Sequence, residues 1–289
     1  MMRNLTLLLM AFVVGCPEVG QVETQFPLYV AGTDVSEPIV SAGDVSVTIN
    51  RADLAFGPLY LCAGATAGEL CETARYEWLD AIVVDTTLSE PTKVGELLGA
   101  TGTVYSWMYD LGISSQLTRD DPFVLDAAKE LGDTSFLLEG IAVVNGIEIP
   151  FAAAVPIQQT EDTELGVPVV RKGSSESFYR DIDTSEQTLL LRFDPSAWVK
   201  GMDFRPYVTN DSCMSDGPAV VCDGVTEHTC ENETAVASRD CASLNQVCVA
   251  GLGCQDRLNI EDGSEAHRSL RNALLSGERP VFTWDYNKK

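Results

Sequence analysis

From Val45 onward the chain alternates apolar and polar positions with a period of two over short stretches. Val45, Val47 and Ile49 alternate with Ser and Thr, and Leu54 and Phe56 follow before a Gly57-Pro58 break. Residues Ile82–Val84 and Val104–Tyr109 are two more short strand candidates. The clearest unit joins Gly140–Val144 to Ile147–Ile157 through Asn145-Gly146. Asn-Gly between two alternating runs predicts a tight hairpin, because both central residues must take positive φ. Ile147, Ile149, Phe151, Ala153, Val155 and Ile157 would share one face. Leu189, Leu191 and Phe193 alternate again, running towards Trp198, and Val281–Trp284 makes a plausible last strand.

Helical spacing is rarer. Asp126–Leu131 supports one or two turns. Asp262 begins a better case: as an N-cap with Glu265 three residues on it resembles a capping box. Ala266, Leu270, Ala273 and Leu274 then recur at helical spacing, and Gly277 and Pro280 end the run. Many short strands separated by Gly, Pro and Asn predict an all-β chain, an antiparallel β-sandwich-like domain with one C-terminal helix.

The N-terminus follows another rule. Arg3 precedes an apolar run of 11 residues, Leu5 to Gly15. A bilayer span takes roughly 20 residues, so the run predicts a signal peptide over 1–15. Val13-Val14-Gly15-Cys16 directly after it resembles the lipobox of bacterial lipoprotein precursors. The resemblance implies acylation of Cys16, export, and attachment to a membrane through the lipid. Pro17 in place of Asp leans the expected location towards the outer membrane, on its periplasmic or surface face. Residues 17–43 are rich in Pro and Gly, so 16–43 reads as a lipidated tether with one short strand at Phe26–Val30. Fully extended, it would reach roughly 80–90 Å at about 3.3 Å per residue.

Nine cysteines are present, and setting Cys16 aside leaves eight, an even number that in an exported chain reads as a disulfide framework. Cys62 and Cys71 bracket a loop of small residues. Cys213, Cys222, Cys230, Cys241, Cys248 and Cys254 crowd into 42 residues that hold few large apolar side chains. Such a segment needs staples, each typically worth about 2–4 kcal/mol. Three internal bridges are expected, and spacing does not choose among the connectivities. Zinc sites bring Cys pairs roughly two to four residues apart, whereas the closest pair here has five residues between. Disulfides therefore outweigh a metal for this cluster.

The run Cys222-Asp223-Gly224, His228-Thr229-Cys230, then Gln246-Val247-Cys248 through Cys254, resembles the Cys-rich inserts of some Gram-negative surface lipoproteins. Phe56-Gly57-Pro58-Leu59-Tyr60-Leu61-Cys62 with Cys71 resembles the same uncharacterised lipoprotein group. The resemblance implies a location and no activity. The expected organisation is a β-sandwich domain over 44–207 completed by 257–289, with a disulfide-rich insert at 208–256.

Charge narrows the partners. Lys and Arg number 19 against 43 Asp and Glu, a formal charge of −24. Such a surface repels phosphate backbones and anionic headgroups, so no nucleic-acid partner is expected and membrane attachment rests on the lipid. The plainest effect of the acidity is solubility, and cation collection is the sharper alternative.

Catalytic signals are thin. His228 falls in the stapled insert, and His267 reads as an incidental residue on a surface helix. No cysteine is left for a thiol nucleophile, and no Gly-rich loop precedes Lys-Ser or Lys-Thr. Gly95, Gly99 and Gly102 lack the support of a phosphate cradle. Asp120-Asp121 before Pro122 reads as a turn, and Glu161–Glu164 as a solvated loop. Asp181–Glu186 offers alternate oxygen ligands but lacks the glycine and distal Glu of a calcium loop. Trp78, Trp107, Trp198 and Trp284 could line a glycan-binding face, though core packing explains each. Asn210 and Asn232 head glycosylation sequons of little weight in a bacterial lipoprotein.

The expectation is a non-enzymatic, membrane-anchored binding or envelope protein without a cofactor, catalytic centre or dedicated metal site. Its partner would be an envelope protein or a glycan. The alternatives are a calcium- or metal-binding lipoprotein using acidic loops, and a hydrolase with a carboxylate pair.

Overall fold

The computed structural model describes residues 21–64, 71, 74–111, 125–132, 134–156, 170–173, 178–208, 213–214, 219–276 and 279–286. Cys16, Asp120-Asp121, Ile157, Glu161–Glu164 and Asn210 lie outside them. In chain order the strands of the first half are β1 (Glu23–Ala31), β2 (Ile39–Ser41), β3 (Val45–Cys62), β4 (Ala74–Trp78), β5 (Ile82–Asp85), β6 (Thr92–Ala100), β7 (Gly102–Val104), β8 (Ser106–Leu111), β9 (Phe136–Val144) and β10 (Ile147–Val155). There follow β11 (Val170–Gly173), β12 (Arg180–Ile182), β13 (Leu189–Arg192), β14 (Val220–Asp223), β15 (Thr226–Glu231), β16 (Thr234–Asp240), β17 (Val247–Val249), β18 (Gly253–Gln255), β19 (Leu258–Ile260) and β20 (Val281–Trp284). Helices α1 (Asp126–Glu130), α2 (Pro195–Val199) and α3 (Glu265–Ser276) are short.

The protein is mostly β. Thirteen strands join one curled, mixed sheet in which the path β19-β10-β9-β3-β4-β6-β1-β13-β20 is continuous. The expected two-layer antiparallel sandwich is thus replaced by a single sheet bent round its own core. Two pairings are parallel, β1 with β13 and β10 with β19, and both join segments far apart in sequence.

Strand β3 explains the curl. Val45, Val47 and Ile49 are buried, with half-buried residues between them. A register shift at Ile49/Arg51 against β9 then marks an irregularity of the kind that bends a strand. Beyond it, Leu54 to Leu59 are buried on both faces, which only a strand running through the core allows. The chain does not break at Gly57-Pro58. It continues, with Gly57 at φ +111 because a Cβ there would meet the Asp80 carbonyl at 2.1 Å. Phe56 is the centre of the packing, with its ring 5.4 Å from Tyr109, 5.1 Å from Phe193 and 6.0 Å from Trp78.

The β9–β10 hairpin forms as the Asn-Gly signal requires, with Asn145 at φ 52 and Gly146 at φ 82. The strand expected at Phe26–Val30 forms and is longer, Glu23–Ala31, and it belongs to the sheet: Phe26, Leu28 and Val30 are buried, and β1 lies between β6 and β13. Alternation with a hydrophobic face outweighed the proline signals. Helix α3 begins later than expected, because the Ser264 Oγ, not Asp262, accepts the backbone N–H of His267. Ala266, Leu270 and Leu274 dock it on the core.

The insert carries two small sheets, β14-β15-β16 and β17-β18. It is not wholly separate: Val249 joins the main core, and the Ala250 N–H donates to the Tyr207 carbonyl.

Candidate functional site

The eight described cysteines pair completely. Cys62 bonds Cys71, Cys213 bonds Cys230, Cys222 bonds Cys248 and Cys241 bonds Cys254. The insert bridges interleave, so Cys222–Cys248 and Cys241–Cys254 tie the three-stranded sheet to the β17–β18 hairpin. Cys222, Cys241 and Cys248 are buried together, with Cys254 packed alongside. Glu227, Cys241 and Cys254 come close enough to suggest a metal centre. Their chemistry argues otherwise: both sulfurs are spent in one disulfide, and the Glu227 Oε2 accepts the Cys254 backbone N–H at 2.7 Å. That carboxylate holds a turn together.

The outward surface of the insert is unusually bare. All seven residues of β16 are exposed. His228 faces Ser238 across the β15–β16 pair, its Nδ1 2.8 Å from the hydroxyl, in open solvent. A Ser–His pair on an exposed sheet lacks the walls that position a substrate. Asn232 and Glu233 form the tip of the hairpin at positive φ.

His267 corrects the sequence reading. It is 1% exposed, not on the surface. Its Nε2 lies 3.3 Å from the Ala154 carbonyl, which fastens α3 to β10. Nδ1 lies 3.1 Å from an Asp262 carboxylate oxygen, off the line a hydrogen bond needs. The ring is a fastener between helix and sheet.

The tryptophans are not a glycan platform. Trp78, Trp107 and Trp198 are buried, and half-buried Trp284 donates its indole N–H to the Phe178 carbonyl at 3.1 Å. Asp181–Glu186 runs from the end of β12 into a turn: the Asp183 Oδ1 accepts the Ser185 hydroxyl and, at 2.8 Å, the Ser185 backbone N–H, which lowers the Asp183 pKa. The Asp181 carboxylate accepts from Thr103.

Among the described residues two grooves on the sheet surface differ in electrostatics. One, of about 380 Å³, lies where α1 meets β3 and β9, lined in part by Arg51, Asp53 and Glu130. Its arginine is engaged by carboxylates. Arg51 pairs with Asp53 at 2.7 Å and Glu139 at 3.9 Å, and Glu139 pairs in turn with Arg257 at 3.5 Å. The other, of about 590 Å³, crosses β1, β4 and β6 and includes Glu23, Arg75, Glu77 and Leu98. Here the guanidinium of Arg75 has neither a hydrogen bond nor an ion pair among the described residues, and its Nε is buried without a partner.

Local sequence builds that second groove. Gly99 lets β6 close on β4, since a Cβ would stand 2.1 Å from the Arg75 carbonyl and 2.7 Å from the Tyr76 ring. Gly102 leaves room for the guanidinium, which lies 3.1–3.2 Å from where its Cβ would be. Tyr76 points inward, hydroxyl 3.1 Å from the Thr24 Oγ1, and burial pushes its phenol pKa up. Sequence reasoning passed over Arg75 because a lone arginine in a short strand carries no local signal.

No family model matches the chain, and no curated protein matches it. Among solved structures, MbnP from Methylosinus trichosporium aligns with a TM-score of 0.34 and 9% identity, covering 92% of this chain and 99% of that one. A likeness of that size carries no inference about function.

Proposed function

We propose that this chain is an exported lipoprotein, held to a bacterial membrane by acyl groups on Cys16, that binds a ligand or partner of the envelope and does no chemistry on it. One observation carries the reading: every cysteine after Cys16 is paired, which leaves Cys16 as the odd thiol at the end of a signal-like leader. Four disulfides are stable in an oxidising compartment and rare in the cytosol. A cysteine in that position is the acceptor that the lipobox resemblance implies. Two further features support binding over catalysis. The described histidines are a fastener and a half-buried residue on an open strand pair, and the surface offers a groove with an unpaired cation.

The test is expression in a Gram-negative host with a labelled fatty acid, followed by envelope fractionation and intact mass. Label in the membrane fraction of the parent, absent from C16S, is the expected result. An unlabelled chain in the cytosol, with reduced thiols and residues 1–15 retained, overturns the proposal.

A further inference from the structure

We infer that the groove across β1, β4 and β6 is a binding site for short zwitterionic peptides, with Arg75 taking the carboxylate and Glu77 the ammonium. The inference deepens the binding-protein reading and rests on it for its biological setting. It starts from an unmet need. A guanidinium carries five N–H donors in a fixed fork, and a buried donor without an acceptor is costly enough that proteins nearly always supply one. Arg75 is half-buried, its Nε fully so, and no described residue accepts from it. Arg51 in the other groove shows the usual alternative, engaged by the Asp53 carboxylate.

The acceptor is also not drawn from the carboxylates nearby. Glu77 stands two residues along the same strand, hence on the same face, and Glu23 lines the groove from β1, yet neither pairs with Arg75. The groove therefore presents a half-buried positive centre flanked by exposed negative ones. A simple anion would meet Arg75 and be repelled by both glutamates and by a chain of net charge −24. A simple cation would suit the glutamates and leave the guanidinium unmet. A molecule with a carboxylate at one end and an ammonium at the other satisfies both and carries no net charge against the field.

Spacing selects the length. Residues i and i+2 of a strand are about 6.6 Å apart, at about 3.3 Å per residue. An extended dipeptide spans about 7 Å between its ends by the same backbone geometry. A dipeptide laid along β4 would thus put its two termini over Arg75 and Glu77. A single amino acid, whose charged groups share one carbon, is too short to reach both. Leu98 sits beside Glu77 in register, 53% exposed, and adds apolar surface to the groove. A fork-to-carboxylate contact is among the stronger hydrogen-bonded pairs, which makes Arg75 the anchor.

Calorimetric titration of the mature protein, with Cys16 replaced to keep it soluble, uses glycyl-leucine as probe. Leucine, the C-terminal amide of the dipeptide and its N-acetyl form are the comparisons. The expected result is saturable binding of glycyl-leucine, at least tenfold weaker for each of the three. R75Q should lose the dipeptide at least tenfold, whereas R51Q in the neighbouring groove should bind as the parent does. E77Q should abolish the preference for glycyl-leucine over its acetyl form, which gives a readout even if R75Q fails to fold. Absence of glycyl-leucine binding, equal binding of the acetyl form, or an unaltered E77Q preference overturns the assignment. None of those results touches the acylation test, so a failed groove and a failed lipoprotein are told apart.

Discussion

In the main sheet Leu54, Phe56, Phe136 and Leu138 have no exposed surface and pack against rings and aliphatic chains on both sides. In the insert β16 has no buried residue, and the buried side chains of its small cluster are half-cystines. The first region is ordered by removing apolar area from water, which contributes about 1.5–3 kcal/mol for each large side chain. The second has too little such area and is ordered by restricting the unfolded chain through covalent loops. The contrast bears on function. A surface fixed by staples can expose polar groups on both faces of a strand without losing its shape, so β14–β16 is free of the usual demand that one face be buried.

The difference is open to attack at its strongest points. F56A should destabilise the whole molecule by about 3–5 kcal/mol, because it empties the site shared by Trp78, Tyr109 and Phe193. Urea denaturation followed by tryptophan fluorescence would show one earlier transition. C222A/C248A, smaller at about 2–4 kcal/mol, should act locally. It should loosen β14–β18 while the sheet's own denaturation midpoint stays close to that of the parent. Were it to lower that midpoint as far as F56A does, the insert would be part of the core's cooperative unit and the contrast would fail.

The smallest effect comes from an ion pair at the base of α2. Arg205 donates from Nε and Nη2 to the two oxygens of Asp203, which lowers the Asp203 pKa, chiefly through the side-chain hydrogen bonds. A carboxyl whose folded pKa is depressed stabilises the fold above its unfolded value, about 3.9, and loses that contribution as the pH falls through the folded value. D203N should therefore cost less than about 1 kcal/mol at pH 7, as exposed pairs generally do. The gap between variant and parent should begin to narrow as the pH falls below about 4 and should close below the depressed folded value. A gap that persists there would mean that Asp203 acts by shape, not charge.

Much of the sheet was legible because burial on one face forces a period of two. That is why β9, β10, β13 and β20 stand where the alternation puts them. The strand at Phe26–Val30 was legible from its alternation, but its place inside the sheet was not, because Pro27 and the flanking Pro and Gly read as linker. β6 was hidden by Gly95 and Gly99, which suggest a loop and in fact make room for Trp78 and Tyr76. The parallel pair β1–β13 joins residues about 160 apart, and no local pattern encodes such a partner. His267 carried a signal that was missed. It lies three and seven positions before Leu270 and Leu274, on the buried stripe of α3, and only its neighbours Ala266 and Arg268 suggested exposure. In the candidate groove nothing was legible, since Arg75 and Gly102 meet only through the fold.

Amide hydrogen exchange on the intact protein, with and without a thiol reductant, tests the division most directly. Reduction should strip protection from β14 to β18 while β3, β9 and β10 keep theirs. Equal loss across both regions, or an insert that stays protected with its sulfurs reduced, would contradict the claim that one region is held by burial and the other by bonds.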